Sequence, residues 1–342
     1  MTSTSTAPDP LLERFLVSQQ LAKPNEVAQW EPLTGGVSSD IWRVDVGGRT
    51  LCIKRALAQL KVAADWKAPV SRNAYEWAWM QFASLHCPEN VPTPLAHDES
   101  AGLFAMSFLN SQDHPVWKEQ LLRGEVSIVT AAAVGSLLGR VHAASAGQAD
   151  IVQTFETVDN FYALRLEPYL VATAKRHPAL APRLLELVAI TAGTQHALVH
   201  GDVSPKNILV GPKGPVLLDA ECAWYGDPAF DLAFCLNHLL LKRTVVPTAR
   251  AALGRAFNAM TQAYLGRVDW EPVDRLEARA ARLLPALLLA RVDGKSPVEY
   301  ITDEATRARV REVSSDLLLK PVSSLEEVEL VWSRREDGGV PR

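Results

Sequence analysis

The spacing of apolar residues divides this chain in two. Between residues 30 and 54 they come in short runs: Leu33, then Val37, Ile41 and Val44, then Leu51 and Ile53. Gly35-Gly36 and Gly47-Gly48 separate the runs, a pattern that predicts strands joined by tight turns, with a hairpin at 47–48. A short amphipathic helix over 11–21, closed by Pro24, precedes them. Residues 56–70 read as a connector. Ser71 offers an N-cap for a helix through about residue 85, which Cys87-Pro88 closes. Pro92 and Pro94 interrupt the pattern, and residues 103–109 read as another strand. Beyond Pro115 helical spacing takes over, over 127–144, 161–172 and 182–195. A β interlude follows around 197–219. After Asp231 the pattern is helical again, including 250–265, 275–289 and 302–318. Residues 324–332 fit a short strand or helix, and 334–342 a fraying end.

This order predicts an α+β chain of two lobes: a tail over 1–10, a β-rich lobe over 11–105, a hinge at 106–110 and a mainly helical lobe over 111–342. A nucleotide cleft would lie at their junction. Apolar residues make up 48% of the 342 positions and charged residues 22%, the mix of a soluble globular protein with a core. The net charge of -4 gives no basic field for nucleic acid, so no nucleic-acid partner is expected. The Ser/Thr-rich start lacks a basic region and an apolar core segment, and reads as a disordered tail, not a signal peptide. The apolar stretches 232–241 and 283–292 are too short to span a bilayer, so no membrane partner is expected. Cys52, Cys87, Cys222 and Cys235 are scattered, without a CxxC pair, which fits reduced, buried thiols and a cytoplasmic location. The oligomeric state is not legible.

The candidate chemistry sits in His200-Gly201-Asp202-Val203-Ser204-Pro205-Lys206-Asn207 and in Asp219, which ends the apolar run 216–218. Phosphoryl transfer from a nucleotide needs one carboxylate for the acceptor hydroxyl and hard oxygen ligands for magnesium. An Asp with an Asn five positions on, then an Asp at a strand end, is the kinase arrangement. Asp202 is therefore the expected catalytic base, and Asn207 and Asp219 the expected magnesium ligands. Glu221, two residues past Asp219, would share its side of a continuing strand, and reads equally as a further ligand or as a solvated edge carboxylate. His200 reads as a packed core histidine, because no second His or Cys accompanies it.

Lys54, at the end of its strand, fits a phosphate-binding lysine held by Glu76 of the following helix. Arg55 should point to the opposite strand face. Gly35, Gly36, Val37, Ser38 and Ser39 form a candidate phosphate-covering turn, with backbone N–H groups and hydroxyls as donors. No GxxxxGK[ST] is present, which excludes a P-loop mechanism. Met106 would face an adenine or pack in the core, and backbone groups of Ser107 and Leu109 would bond the base. Trp224 and Tyr225 fit core packing or stacking on a sugar.

These residues resemble the aminoglycoside phosphotransferase and choline kinase superfamily, whose fold is similar to that of protein kinases. The HGDxxxxN loop, the run LLDAECAWYGDPAFDLA and the opening LTGGVSSDIWRV carry the resemblance. It implies a two-lobed protein-kinase-like fold, use of ATP or another nucleoside triphosphate with Mg, and a bracing role for Asp231 under the catalytic loop. The run IKRALAQLKVAADW and the pair Asp219 and Glu221 also resemble the methylthioribose kinase branch. Asp219 is followed almost at once by Gly226-Asp227-Pro228 and a helix, which leaves no platform for a peptide. A small-molecule hydroxyl acceptor is the expected partner: sugar-like, an antibiotic or an amino alcohol. A cationic acceptor would want a cluster of carboxylates, with Asp227, Glu277 and Asp293 available. The alternative is a nucleotide-binding pseudokinase serving as scaffold or sensor.

Overall fold

The computed structural model describes residues 9–33, 39–57 and 71–336. The turn Gly35, Gly36, Val37 and Ser38 and most of the 56–70 connector lie outside them. The chain opens on helix α1 (Pro10–Ser18), capped by the Asp9 carboxylate, which accepts from the Leu11 N–H at 2.9 Å. Asp9 and Pro10, expected to lie in the tail, instead belong to this helix and its cap.

Strands β1 (Gln29–Pro32), β2 (Ser39–Val46), β3 (Arg49–Ala56), β4 (Pro94–Asp98) and β5 (Leu103–Ser107) form one sheet in the order β1-β2-β3-β5-β4. All its pairings are antiparallel. The expected hairpin forms between β2 and β3. Alternation along β3 then decides what each side chain meets. Leu51 and Ile53 join Val44, Leu103 and Ala105 beneath Leu12, Phe15 and Leu16 of α1. Lys54 faces the other way, toward Glu76 on α2 (Arg72–His86). Strand β4 departs from the sequence reading, which treated Pro92 and Pro94 as a break. Pro94 begins the edge strand, where a missing N–H costs no ladder bond. Ser71 stands at the helix start without a side-chain cap bond, because its own backbone is already helical (φ -54°, ψ -19°).

Helices dominate the remainder: α3 (Trp117–Leu122), α4 (Ile128–Ser145), α5 (Ala149–Thr154), α6 (Val158–Phe161), α7 (Ala172–Arg176) and α8 (Ala181–Gly193). A π-helical stretch, Tyr162–Val171, joins α6 to α7 and carries Pro168, whose missing N–H a wider turn accommodates. Two small antiparallel pairs follow. β6 (Ala197–Val199) pairs with β9 (Trp224–Gly226), and β7 (Ile208–Gly211) with β8 (Gly214–Leu217). Then come α9 (Ala229–Val245), α10 (Arg250–Leu265), α11 (Val273–Asp293), α12 (Glu304–Leu319) and α13 (Leu325–Glu336). Residues 324–332 are thus helical, and the expected fraying at 334–336 is absent: Arg335 pairs with Glu312 and Asp316.

By length and composition α4 is apolar enough to cross a membrane, with mean hydropathy 1.3. It lies packed on α10, where a Cβ at Gly135 would come within 2.2 Å of the Met260 carbonyl oxygen. The four cysteines are buried and free. Trp224 is fully buried and stacked on Phe161 at 4.4 Å, and the Tyr225 hydroxyl donates to the His196 carbonyl, so both aromatics serve the core.

Candidate active site

The two small sheets place the polar loops. The segment between β6 and β7 carries His200 to Asn207, and the one between β8 and β9 carries Asp219 and Glu221. The Leu218 N–H donates to the Asn207 carbonyl at 2.9 Å, one step beyond the Ile208–Leu217 pair. Asn207 and Asp219 are therefore neighbours across a hairpin.

Asp231, in the first turn of α9 and fully buried, holds the loop from below. Its carboxylate accepts the backbone N–H of His200 at 2.7 Å and of Gly201 at 2.9 Å. His142 Nε2 lies 3.2 Å from the same carboxylate, and His142 Nδ1 lies 2.8 Å from the Tyr264 hydroxyl. Gly201 stands at φ +78°, and a Cβ there would meet the Cys222 carbonyl oxygen at 2.6 Å. Neither a side chain nor a right-handed backbone fits. The buried His200 accepts the Asp202 N–H on Nδ1 at 3.2 Å and stands edge-on to Trp79 of α2, ring centres 4.7 Å apart. Burial pulls its pKa below the ordinary range.

The Asp202 carboxylate is buried, and its Oδ2 gathers three donors: Asn207 Nδ2 at 2.9 Å, Arg165 Nη2 at 2.9 Å and Lys206 Nζ at 3.4 Å. Arg165 comes from the π-helical stretch and also donates to the Gly201 carbonyl at 2.6 Å and the Leu164 carbonyl at 2.7 Å. It fixes both the Asp202 carboxylate and the peptide before it. Sequence reading missed Arg165, which lies 37 positions from Asp202 with no local motif. Lys206 sat inside the motif and was passed over.

On the other side of the cleft, Lys54 Nζ lies 2.7 Å from Glu76 Oε2 and is also ion-paired to Asp219. Arg55 points away, to Asp9 and Asp40. Asp219 adopts a left-handed backbone, φ +69°, which Asp tolerates better than most residues. The strand does not continue through it, so the shared-face reading of Glu221 fails. Glu221 lies in the turn beyond, where it is 7% exposed, and binds Arg72 Nε at 3.0 Å. A solvated edge carboxylate is thereby ruled out as well. Burial opposes the charge on Lys54, but Asp219, Glu76 and Glu221 outweigh it and hold the ammonium charged. Burial pushes the Glu76 carboxyl up to about 7 even beside Lys54, and the negative charge of Asp219 adds to the rise. Burial and then Asp219 raise Glu221. For Asp219, Lys54 and then Lys206 overcome burial and lower the pKa.

This wall holds the carboxylates of Glu76, Asp219 and Glu221 with the cations Lys54 and Arg72, while Lys206 and Arg165 act on it from the loop side. The Asn207 amide N–H group is fixed on Asp202, which leaves its oxygen as the free end. The Asp219 carboxylate and the Asn207 amide oxygen are hard oxygens of the kind that fit magnesium, which takes few protein ligands.

Met106 lines a narrow pocket between the lobes with Glu76, Trp79, Met80, Pro92, Leu217, Leu218, Asp219 and Ala220. Of the Ser107 backbone groups, the N–H donates to the Thr93 carbonyl at 2.9 Å. Leu109 follows β5 in a half-buried loop, and Ser39 is buried at the start of β2. The carboxylates offered for a cationic acceptor do not gather. Asp227 binds Arg279, Glu277 accepts the Leu325 N–H, and Asp293 binds His177 and Arg311.

A β-rich lobe with a Lys–Glu pair, set over a helical lobe with an Asp–Asn loop and a strand-end Asp, defines a protein-kinase-like fold. Residues 29–273 match the model of the phosphotransferase enzyme family (APH), and the chain belongs to that family. Methylthioribose kinase from Pectobacterium atrosepticum is 24% identical over 271 residues, covering 69% of this chain and 66% of the relative. The enzyme of that name from Yersinia pseudotuberculosis is 24% identical over 259 residues, covering 67% and 62%. The chain thus matches slightly less than two thirds of these relatives' length. Plasmodium vivax ethanolamine kinase shares the fold with a TM-score of 0.58 and 12% identity, covering 94% of this chain and 93% of that one. Amicoumacin kinase, solved with AMP-PNP, Ca2+ and its antibiotic, gives 0.52 and 16%, covering 93% and 98%.

Proposed function

We propose that this protein moves the γ-phosphoryl group of ATP to a hydroxyl of a small molecule, with magnesium. One observation supports the reading above all. Asp202 and Asn207 are bonded to each other on a loop held by Asp231, and Asn207 is hydrogen-bonded beside Asp219, which Lys54 reaches from the other lobe. This connected set of four side chains supports the reading, because phosphoryl transfer needs a base, hard metal ligands and a cation for the phosphates. Asn207 and Asp219 would hold magnesium, which neutralises the charge of the triphosphate when bound.

The protein's part is positioning and proton handling. Arg165, Asn207 and Lys206 all hold Asp202 by Oδ2, so Oδ1 is the oxygen that would take the acceptor hydroxyl's proton. Lys54 would divide its charge between Glu76 and the nucleotide phosphates. Glu221 is engaged by Arg72, which supports a role in fixing the turn beyond Asp219 over one as a direct metal ligand. The names of the relatives, kinases of methylthioribose, ethanolamine and amicoumacin, agree with a small acceptor. The nucleotide-binding scaffold alternative gains no support from them.

Asp202→Asn tests the reading. The variant should bind ATP as tightly as wild type, measured by thermal shift. Its ADP release across a panel of sugars, antibiotics and amino alcohols should fall by roughly a thousandfold. Undiminished turnover would remove Asp202 from the chemistry and the proposal with it.

A further inference from the structure

The face of α9 that continues away from Asp202 carries a second set of charges, which the transfer step does not use. Phe234, His238 and Lys242 are spaced four apart and form one stripe. The stripe begins at the catalytic loop: the Arg165 guanidinium stands 5.8 Å from the centre of the Phe234 ring. Lys242 lies about 12 Å further along the helix axis. Its side chain is fully buried, and its ammonium has no hydrogen-bond or carboxylate partner among the described residues. The face of the Tyr300 ring lies 4.8 Å away. His238 Nδ1 meets the Tyr300 hydroxyl at 3.4 Å, and His238 Nε2 has no partner. Arg291, from α11, is 8% exposed and bonds only neutral groups: the Tyr169 hydroxyl at 3.0 Å and Ser296. Its Nε is also unpartnered.

The same region holds Lys118 of α3, whose partner Glu299 is a largely exposed carboxylate, 64% accessible. Burial and then the charge of Lys118 pull the Lys242 ammonium down to about 7, although Glu299 opposes them from a distance. Burial, then Lys242, Arg291, Lys206 and Lys118, pull His238 down. Lys206 belongs to the catalytic loop, so the cationic region and the loop lie within electrostatic reach of each other. A buried cation with no carboxylate in contact is costly, and strongly perturbed groups of this kind cluster at functional sites. The carboxylates that a cationic acceptor would require are engaged elsewhere, by Arg279, the Leu325 N–H, His177 and Arg311.

We propose that the acceptor is a hydroxylated anion of monosaccharide size, whose carboxylate or phosphate ester is received by Lys242, His238 and Arg291 between α9 and α11, while its hydroxyl lies at Asp202. The inference rests on the kinase reading and specifies its substrate class.

A matched hexose series tests it: D-gluconate, D-glucose 6-phosphate, D-glucose and D-glucosamine, each added to full-length protein saturated with Mg-ADP. At about ten times its Kd, an anion should raise Tm by about 2 °C, and glucose and glucosamine should do nothing. A shift with gluconate alone assigns a carboxylate, and one with glucose 6-phosphate alone a phosphate ester. Lys242→Met separates binding from structure. It should raise the Tm of the ligand-free protein, because an unpaired buried charge is removed, and abolish the anion's shift. The inference fails if glucosamine or glucose matches the anions, if neither anion shifts wild type, or if the anion's shift survives in Lys242→Met. Asp202→Asn should leave the anion's shift in place while stopping ADP release. Loss of charge selectivity with Asp202 still essential therefore sinks only this inference, whereas unchanged turnover in Asp202→Asn sinks the kinase reading.

Discussion

Gly201→Ala puts the architecture of the catalytic loop to a quantitative test. The residue stands at φ +78°, where an alanine costs about 1–2 kcal/mol. Its Cβ would also lie 2.6 Å from the Cys222 carbonyl oxygen and 2.8 Å from the Cys222 Cβ. Neither atom can swing aside, and overpacking of this kind adds about 1–3 kcal/mol. The sum is about 2–5 kcal/mol. An unfolding entropy of about 2.1 cal/mol/K per residue gives about 0.7 kcal/mol/K for this chain, so about 3 kcal/mol lowers Tm by about 4 °C. Relief can come only by moving the loop, because the Gly201 N–H is bonded to Asp231 and its carbonyl to Arg165. Asp202 is the next residue, and a displacement of about 1 Å should reduce turnover about a hundredfold. Scanning calorimetry together with ADP release measures both effects. Gly48→Ala is the control: it has a similar φ of +72° but open space around the added carbon. It should lose about 1.5–3 °C and no activity. A Gly201→Ala variant within 1 °C of wild type and fully active would refute the reasoning.

Other consequences follow from the same geometry. Arg165→Lys keeps the charge but loses the fork that binds Asp202, Gly201 and Leu164 together. It should lower kcat by about ten- to a hundredfold with the KM for ATP unchanged, in steady-state kinetics. An equal rise in that KM would instead place Arg165 in nucleotide binding. Lys242 predicts a pH dependence of stability. Its folded-state pKa of about 7 lies below the ordinary 10.5, so between those values the unfolded chain binds the extra proton. Through this group, stability should rise as pH goes from about 7 to 10.5, with the full penalty present below 7. Urea titrations of wild type and Lys242→Met should differ in slope across that window, and identical slopes would show that Lys242 stays charged.

What the sequence determined by itself was local. The β2–β3 hairpin and the helix now seen as α4, with its Ser127 cap, depend on short-range backbone preferences. The Asp202–Asn207 pair lies five residues apart on one loop, and the hairpin β7–β8 sets Asp219 beside it, so this part of the site was legible too. Only the tertiary structure decided the rest. Lys54 and Asp219 are 165 positions apart, Arg72 and Glu221 149, His142 and Asp231 89, and no spacing rule joins them. Strand β4 was hidden because its Pro94 signals a break unless the strand lies at an edge, which is a property of the sheet. The state of Lys242 is likewise a property of packing. A lysine in a helical run reads as solvent-facing until neighbouring helices bury it and no carboxylate arrives to meet it.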